Sequence, residues 1–571
     1  MNTITKRILI ASIAILCVFG AGIFLANTRS EPGPTPNNPP ANNGQGEANN
    51  SESEIISTQP PSYPLASENT PAINLPIPPA PTHTGYSWVA APIFDAVGQF
   101  DNGFAVVRLD GKYGIINSAG QVVVPFIYEL LGNHGLVGGY VGTVVNMSSG
   151  FVEARLDGQW GIIDMAGRVV IPFEYDEIFL RHEYKAAIVI RGDWPNWSQG
   201  LIELTTGREI IPVGTYNHVQ VLSSSFATMV IRDDTWTEWH EGLIDMATGE
   251  EIIPPTYRQI SIFSDGLAAV SRGGGWGFIN AYGYEVIPTV YDEVMTFANG
   301  LAWVSSGGLW GIIDTNGNFV LPPTFESMRF TSKPSDELVQ IGARGQDGFE
   351  LWGFFDMTTL EIVVPMKYRS LWINGENRAE AITSWPETRE ESRSIIILDI
   401  AENREIATLT YYFGDGGLSN FHGNHAIFHI GEGWGDFWRA GLIDRDGREV
   451  LPPIYYSLRH FSDTLLIIDD NPLGRFRQQG RLVDTTTWED VLPWHDHIGL
   501  VHDGIAAINT GGEWIQFSEW MNEIINGYWG FIDETGQIII PPVLEFQRAA
   551  SVSEGIAAVQ VDDKWGFIRI G

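Results

Sequence analysis

The chain has 571 residues, of which 44% are hydrophobic and 12% aromatic, enough apolar material for several cores and too much for a disordered chain. It carries 33 basic residues against 69 acidic ones, a formal net charge of −36. So much negative charge repels phosphate backbones and therefore excludes nucleic acid as a partner. The only cysteine is Cys17, which excludes an intramolecular disulfide and a cysteine-built metal site.

The first element predicted along the chain is a transmembrane helix over Ile8–Ala26. These positions are uncharged and mostly apolar, and they are numerous enough to span a bilayer. The basic residues 1–7 should remain in the cytoplasm, so the rest of a single-pass protein lies outside the cytoplasmic membrane. A cleaved signal peptide, which would give a secreted protein, is the alternative, although no small-residue cleavage site follows the apolar run.

Residues 27–85 form a predicted linker rich in Pro, Asn and Ser. With hardly any aromatic residues it cannot bury enough apolar surface to offset the entropy of ordering it. We expect a flexible spacer that holds residues 86–571 away from the membrane.

Residues 86–571 contain a repeat of about forty residues. Two clear copies, starting at Gly266 and Gly300, read GLAAVSRGGGWGFINAYGYEVIPTVYDEV and GLAWVSSGGLWGIIDTNGNFVLPPTFESM. Aligned on the second position of the Trp-Gly pair, twelve copies fall at positions 114, 161, 200, 242, 277, 311, 353, 396, 441, 481, 530 and 566.

One copy illustrates the predicted unit. Strands are expected at Leu267–Ser271, Trp276–Asn280 and Tyr284–Ile287, separated by glycine turns and followed by a short extended segment, Tyr291–Val294. Both faces of the middle strand are apolar, so each antiparallel meander must stack on its neighbours. The glycine beside the tryptophan, Gly277 in this copy, is expected to let an aromatic residue of a neighbouring unit approach the backbone.

The Trp-Gly-(Phe/Ile)-Ile-(Asp/Asn) core, the short glycine turn and the Val-Ile-Pro exit resemble the WG-repeat family of bacterial proteins. The resemblance extends from about Trp88 to Gly571 and implies an all-β repeat without a defined activity. We therefore predict an all-β fold, a tandem array of about twelve antiparallel β-meander repeats.

The two ends of the array allow two geometries. Trp88–Ala91 resembles the third strand of a unit, and the last copy ends at Ile570 without that strand. The N-terminal strand could therefore complete the last unit and close a propeller-like ring. Because twelve units are many for one ring, an open, twisted, solenoid-like array capped by partial units is the preferred prediction.

The first turn of each unit varies most in length, and its enlarged copies carry nine of the twenty tryptophans. Turns at one position of stacked units emerge on one face, which is often the binding face. The candidate binding residues are Trp194, Trp197, Trp236, Trp239, Trp385, Trp434, Trp438, Trp514 and Trp520. Alternatively, these side chains cover neighbouring loops. The anchor tryptophans are predicted to lie in the core: Trp160, Trp276, Trp310, Trp352, Trp529 and Trp565.

Polar motifs are assigned structural roles, and no catalytic, cofactor-binding or metal-binding residue is predicted. The pairs Asp176-Glu177 and Asp292-Glu293 occupy one repeat position and are interpreted as residues of a turn or an edge strand. Asx turns, rather than calcium ligands, are expected at Asn117, Asp164, Asp245, Asn280, Asp314, Asp356, Asp444 and Asp533. Two histidine groups lack an evident third metal ligand, namely His495 with His497, and His422 with His425 and His429.

The function predicted from these features is a membrane-anchored, extracytoplasmic scaffold that is not an enzyme. Its tryptophan-rich loops would bind a cell-envelope polysaccharide or protein, and its N-terminal helix would hold it in the membrane. The alternative is a carbohydrate-active hydrolase whose carboxylates come from separate repeats.

Overall fold

The computed structural model describes residues 73–74, 85–132, 146–192, 197–232, 239–331, 337–375, 377–384, 393–411, 417–430, 439–469, 479–518 and 521–571. All of them belong to one compact unit, Tyr63–Gly571. The helix predicted at Ile8–Ala26 and nearly all of the predicted linker lie outside these residues. Among the described residues, no helix is long and apolar enough to cross a membrane.

In the described ranges, fifty β-strands form twelve sheets and one separate hairpin, and the only helical segment is a short 3-10 turn, His182–Tyr184. Sheet 1 contains β1 (Ile73–Asn74), β3 (Ala96–Val97), β4 (Phe104–Leu109), β5 (Lys112–Asn117) and β6 (Gln121–Tyr128). Sheet 2 contains β7 (Leu130–Leu131), β8 (Phe151–Leu156), β9 (Gln159–Asp164) and β10 (Val169–Tyr175). Sheet 3 contains β11 (Glu177–Arg181), β12 (Ala186–Arg191), β13 (Ser198–Glu203) and β14 (Glu209–Tyr216).

The next four sheets follow in chain order. Sheet 4 contains β15 (His218–Val221), β16 (Phe226–Arg232), β17 (Trp239–Asp245) and β18 (Glu251–Tyr257). Sheet 5 contains β19 (Gln259–Ser264), β20 (Leu267–Arg272), β21 (Gly275–Asn280) and β22 (Glu285–Tyr291). Sheet 6 contains β23 (Glu293–Val294), β24 (Leu301–Ser306), β25 (Leu309–Asp314) and β26 (Phe319–Phe325). Sheet 7 contains β27 (Ser327–Phe330), β28 (Leu338–Arg344), β29 (Glu350–Asp356) and β30 (Glu361–Tyr368).

The last five sheets include a separate hairpin and the N-terminal strand β2. Sheet 8 contains β31 (Ser370–Ile373), β32 (Arg378–Ile382), β33 (Arg393–Asp399) and β34 (Arg404–Tyr411). Sheet 9 contains β35 (His425–Ile430), β36 (Arg439–Asp444) and β37 (Glu449–Tyr455). Sheet 10 contains β38 (Ser457–His460), β39 (Leu465–Asp469), β40 (Gly480–Asp484) and β41 (Asp490–His495). Sheet 11 contains β42 (His497–Ile498), β43 (Ile505–Thr510), β46 (Tyr528–Asp533) and β47 (Ile538–Leu544), and the hairpin is β44 (Glu513–Ser518) with β45 (Met521–Ile525). Sheet 12 contains β2 (Tyr86–Phe94), β48 (Arg548–Ser553), β49 (Ile556–Val561) and β50 (Lys564–Ile570).

The typical sheet is a four-stranded antiparallel meander, which confirms the predicted all-β array of about twelve meander repeats. The short extended segment after the third predicted strand, however, is divided between two sheets. In the copy that starts at Gly266 its first residue, Tyr291, ends β22 of its own sheet, whereas Glu293–Val294 form β23, which pairs with β24 of the next sheet. Each sequence repeat therefore contributes strands to two successive sheets.

A bulge in the fourth strand explains why typical units have a Trp-Gly pair on the third strand and a proline on the fourth. In sheet 5, Trp276 pairs with Tyr291 and Phe278 pairs with Ile287, so four steps on β22 span two steps on β21. The extra residues arch over Gly277, where a Cβ atom would lie 2.4 Å from the Ile287 carbonyl oxygen. The glycine thus makes room for the fourth strand of its own sheet, and the prediction of a neighbouring unit's aromatic residue at this point is wrong.

Twelve clusters of buried apolar residues lie between successive sheets of the described chain, one at each interface. The third strand of a sheet contacts the first strand of the next, as β17 contacts β19, and the fourth contacts the second, as β18 contacts β20. Because successive sheets pack through equivalent strands, their equivalent turns lie on the same face.

The array closes into a propeller-like ring. β2 pairs antiparallel with β50, from Tyr86 opposite Ile570 to Phe94 opposite Trp565, and so supplies the fourth strand of sheet 12. That sheet packs on sheet 11 through one apolar cluster and on sheet 1 through another, which joins Phe94 and Phe567 to Val107. The sequence analysis gave a closed ring as the alternative geometry, and its preferred prediction of an open array is wrong. The last unit lacks only its fourth strand, and closure covers an edge that an open array would leave exposed.

Candidate binding face

The turns between the second and third strands are here called the first turns, and where the structure describes them they lie on one face of the ring, because successive sheets pack through equivalent strands. Several share one hydrogen bond that fixes this geometry. The carboxylate that follows the fourth strand of the preceding sheet accepts the backbone N–H of a first-turn glycine, as Asp176 does from Gly192 at 2.7 Å and Asp292 from Gly308 at 3.1 Å. In each acidic pair the aspartate is therefore a turn residue, and the glutamate, Glu177 or Glu293, is the first residue of the first strand of the next sheet, in line with the predicted turn or edge-strand position. The surface formed by these first turns is called the first-turn face.

Three of the nine candidate tryptophans lie in the described part of the chain, and they differ from one another. The Trp239 side chain, at the start of β17, is 42% exposed, and the Arg258 guanidinium carbon lies 5.2 Å from the centre of its ring. Trp197 is half-buried. Trp514 is also half-buried, donates its indole N–H to the Asp496 carbonyl at 3.1 Å and packs against the cluster between sheets 11 and 12. Trp194, Trp236, Trp385, Trp434, Trp438 and Trp520 lie outside the described residues.

Trp239 is thus available to a ligand, whereas Trp514 has a structural role. A guanidinium beside an exposed indole ring offers a stacking surface with a hydrogen-bond donor next to it. That pair of groups suits a sugar ring or a polar protein side chain.

The anchor tryptophans belong to the core, as predicted. Trp310, Trp352, Trp529 and Trp565 are buried, and Trp160 and Trp276 are half-buried against the clusters of their sheets. Sequence reasoning missed several exposed aromatic residues on other strands and turns, because strand positions were assumed to be buried. They are Tyr282, Tyr284, Phe319, Trp372, Trp488 and Trp494. Tyr282 and Tyr284 flank Gly283 of a second turn, and this position beside a turn glycine was the sequence signal that could have indicated their exposure.

The predicted Asx turns are present at the second turns. In the copy anchored at 277, the Asn280 side-chain oxygen accepts the backbone N–H groups of Tyr282 and Tyr284, both at 3.0 Å. The same side-chain caps are formed by Asn117, Asp164, Asp245, Asp314, Asp356, Asp444 and Asp533. These oxygens therefore bind the backbone of their own turns.

The fold separates His495 from His497, whereas His422 and His425 exchange backbone hydrogen bonds of 2.9 and 3.1 Å. His495 ends β41 and His497 begins β42, so the two belong to different sheets. Burial lowers the pKa of His497 to about 3, and the nearby Arg459 charge contributes to this shift. The His422 ring instead stacks on His460 of the next sheet with centroids 4.6 Å apart, while the His429 backbone pairs with Ala440.

Burial also lowers the pKa of His460, to about 4, with the charges of His422 and His425 acting in the same direction. No group of three or more His, Cys, Asp or Glu residues that could hold a metal ion occurs among the described residues.

Two anchor positions carry polar residues instead of tryptophan. Gln199 and Glu241 occupy this position in sheets 3 and 4, and the side-chain oxygen of each accepts a backbone N–H from the first strand of the next sheet. The donors are Val219 and Ile260, each at 2.8 Å. Burial raises the pKa of Glu241 above its usual value, while the hydrogen bond from Ile260 acts in the opposite direction. These hydrogen bonds connect neighbouring sheets at two interfaces where the anchor position has no tryptophan.

The fold and its repeated Trp-Gly core define a class of closed, repeat-built β proteins. Eight segments match the model of the WG containing repeat, at residues 87–113, 113–133, 160–191, 242–276, 276–310, 310–333, 441–465 and 529–565. This confirms the resemblance to the WG-repeat family in these eight segments of the chain. No curated protein is similar to the chain in sequence.

Solved structures resemble the chain only weakly. A eukaryotic initiation factor is 9% identical with a TM-score of 0.30, and the match covers 59% of this chain and 90% of that one. AztD from Citrobacter koseri is 13% identical with a TM-score of 0.24, and the match covers 55% of this chain and 93% of that one. The tricorn protease is 11% identical with a TM-score of 0.21, covering 83% of this chain and 60% of that one. Similarities this low support no statement about activity.

Proposed function

We propose that this WG-repeat ring is a non-enzymatic binding scaffold. Ile8–Ala26 anchors it in the cytoplasmic membrane, and the ring lies on the extracytoplasmic side. Its tryptophan-rich first turns bind a macromolecule of the cell envelope, either a polysaccharide or a protein.

The exposed Trp239 ring beside Arg258 is the observation that carries this proposal. Burying a tryptophan side chain stabilises a protein by on the order of 3–5 kcal/mol, yet Trp239 stays 42% exposed next to a first turn, with the Arg258 guanidinium carbon 5.2 Å from the centre of its ring. Trp239 also lies at the start of β17, directly after a first turn. Clustered aromatic and arginine side chains are the usual centres of binding energy in interfaces.

The proposal is tested by replacing Trp194, Trp197, Trp236 and Trp239 with Ser in the full chain. Wild-type protein is first applied to a glycan array and to isolated cell-wall material, and the variant is then measured against the ligands retained. We expect at least a tenfold loss of affinity, because aromatic hot spots commonly contribute about 2 kcal/mol or more each. The melting temperature should change little.

Trp372→Ser is the matched control, because Trp372 is exposed but lies on a first strand rather than in a first turn. This variant should bind as the wild type does. Retained binding by the folded quadruple variant, or unfolding of that variant with unchanged binding per folded molecule, would contradict the proposal. The salt dependence identifies the ligand class, since a cationic protein should bind less well as salt rises and a neutral glycan should not.

A further inference from the structure

The fourth strand of each sheet forms an edge, and in sheet 1 that edge carries an additional strand. β1, which comes from the segment before the ring, pairs antiparallel with β6 through Ile73–Val122 and Asn74–Gln121. On its other side Val122 pairs with Ile116 of β5, so it lies between two strands. The molecule itself therefore contains a short extended segment, Ile73–Asn74, paired at the start of a fourth strand.

The equivalent edges of sheets 5 and 6 have no such partner in the described chain. Glu285 pairs with Ile279 as Val122 pairs with Ile116. The Asn280 N–H donates to the Tyr284 carbonyl at 2.9 Å, so the backbone polar groups of Tyr284 face β21. Since successive residues of a strand point their N–H and C=O groups to opposite sides, those of Glu285 face the open edge.

The same geometry recurs in sheet 6. Asp314 donates its N–H to the Asn318 carbonyl at 2.9 Å, and Phe319 pairs with Ile313. The N–H and C=O of Phe319 therefore also face outward. Both edges present the backbone groups that bind β1 in sheet 1.

Apolar side chains surround these two open edges. Tyr284 is 71% exposed, Val286 40% and Phe319 48%, whereas Val122 beside β1 is 7% exposed. The Phe319 ring lies 6.3 Å from the ring of Tyr291, the buried last residue of β22, so the start of β26 packs against the end of β22. Exposed apolar residues along an unpaired edge strand mark a pairing site.

We propose that the starts of β22 and β26 bind an extended apolar segment of a partner protein, which adds to them as a fifth strand in the way that β1 adds to β6. Pro288 and Pro322 lack an N–H and lie farther along these strands, so pairing is confined to the first few residues. The chain carries a net charge of −36 and Glu285 lies at the edge, so basic residues flank the preferred segment. This surface is formed by fourth strands rather than first turns, and the proposal does not depend on the loop tryptophans.

The probe is a fluorescein-labelled peptide, Lys-Lys-Ala-Ile-Asn-Leu-Lys-Lys, which carries the sequence of residues 72–75 between basic flanks. Its binding to the full chain is measured by fluorescence anisotropy. We expect saturable binding that weakens at least fivefold in the Val286→Asp/Val320→Asp variant, which removes apolar contacts. The Glu285→Pro/Phe319→Pro variant, which removes the outward N–H groups, should weaken it at least tenfold.

Ile454→Asp is the matched control, because Ile454 is likewise an exposed apolar residue on the last strand of its sheet, β37, but follows the prolines of that strand. It should bind the peptide as the wild type does, and so should the quadruple tryptophan variant. A peptide with Ser in place of Ile and Leu should bind at least fivefold less well. The proposal is overturned by absent wild-type binding, by equal binding of the serine peptide, or by unchanged binding of the folded edge variants. If the proline variant does not fold, the aspartate variant decides.

Discussion

The Glu241 carboxylate is a hydrogen-bond acceptor whose negative charge is unfavourable in its partly buried position. Glu241 accepts the Ile260 N–H across the interface between sheets 4 and 5, and burial raises the pKa of its carboxyl group. Gln199 makes the equivalent bond in the preceding sheet without any charge. The hydrogen bond therefore needs an oxygen at this position but not a carboxylate.

We expect Glu241→Gln to raise the melting temperature at pH 7. A carboxyl group whose pKa is raised in the folded state costs stability when it is ionised, and this cost disappears as the pH falls through the folded pKa. The advantage of glutamine should therefore shrink as the pH is lowered from 7 towards 4, measured by scanning calorimetry across that range. Glu293→Gln, which changes an exposed carboxylate, should have no such effect. A gain that is equal at both ends of the range would contradict this assignment.

At the scale of the strand, the spacing between the Trp-Gly pair and the fourth-strand aromatic residue recurs in the repeats for a steric reason. The tryptophan pairs across to the aromatic residue that ends the fourth strand, as Trp310 does with Phe325, and the extra residues between them bulge over the glycine. In sheet 6 a Cβ on Gly311 would lie 2.6 Å from the Leu321 carbonyl oxygen and 2.7 Å from the Pro323 nitrogen. Neither backbone atom can move without breaking the bulge.

Gly311→Ala should therefore destabilise the protein by about 1–3 kcal/mol or more through overpacking, although alanine is the smallest possible addition. Urea unfolding measures the loss. Gly307→Asn is the control, since Gly307 has open space around its Cβ position and asparagine tolerates its φ of 62°. Comparable losses for the two variants would show that the cost is conformational rather than steric.

Periodicity and turn chemistry were sufficient to predict the strands, the two glycine turns and the Asx caps, because these depend on neighbours in sequence. Pairing between repeats was not predictable in this way. The segment that becomes β23 looks like the end of one unit, and only its hydrogen bonds to β24 show that it begins the next. The outward-facing Tyr284 and Phe319 were missed for a related reason, since alternation alone cannot tell a covered strand from an open edge. At the first-turn face, the sequence left contact and covering roles open for every loop tryptophan; Trp239 is 42% exposed, whereas Trp514 is held by its bond to the Asp496 carbonyl.

At the scale of the whole molecule, the two ends of the array meet in one sheet. Phe94, close to the N-terminal end, is fully buried, pairs with Trp565 and contacts Phe567 at a ring distance of 6.3 Å. Further bonds cross the same junction, including one from the Ser553 hydroxyl to the Phe100 carbonyl at 2.6 Å. Sequence reasoning preferred an open array because the number of units was high. The partial unit at each end was the more informative signal, since each supplies what the other lacks.

Phe94→Ala tests this closure. The substitution should cost about 3–5 kcal/mol, as expected for a buried phenylalanine. Because Phe94 links sheet 12 to sheet 1, hydrogen exchange should accelerate both in β48–β50 and in β3–β5, which lie at opposite ends of the sequence. Phe325→Ala, at the equivalent position of sheet 6, should accelerate exchange in sheets 6 and 7 and leave sheet 12 unchanged. An open array predicts a different result, because there Phe94 would touch only its sequence neighbours and β48–β50 would keep their protection. Faster exchange in both end sheets for Phe94→Ala, but not for Phe325→Ala, therefore requires that the N-terminal strand completes the last sheet.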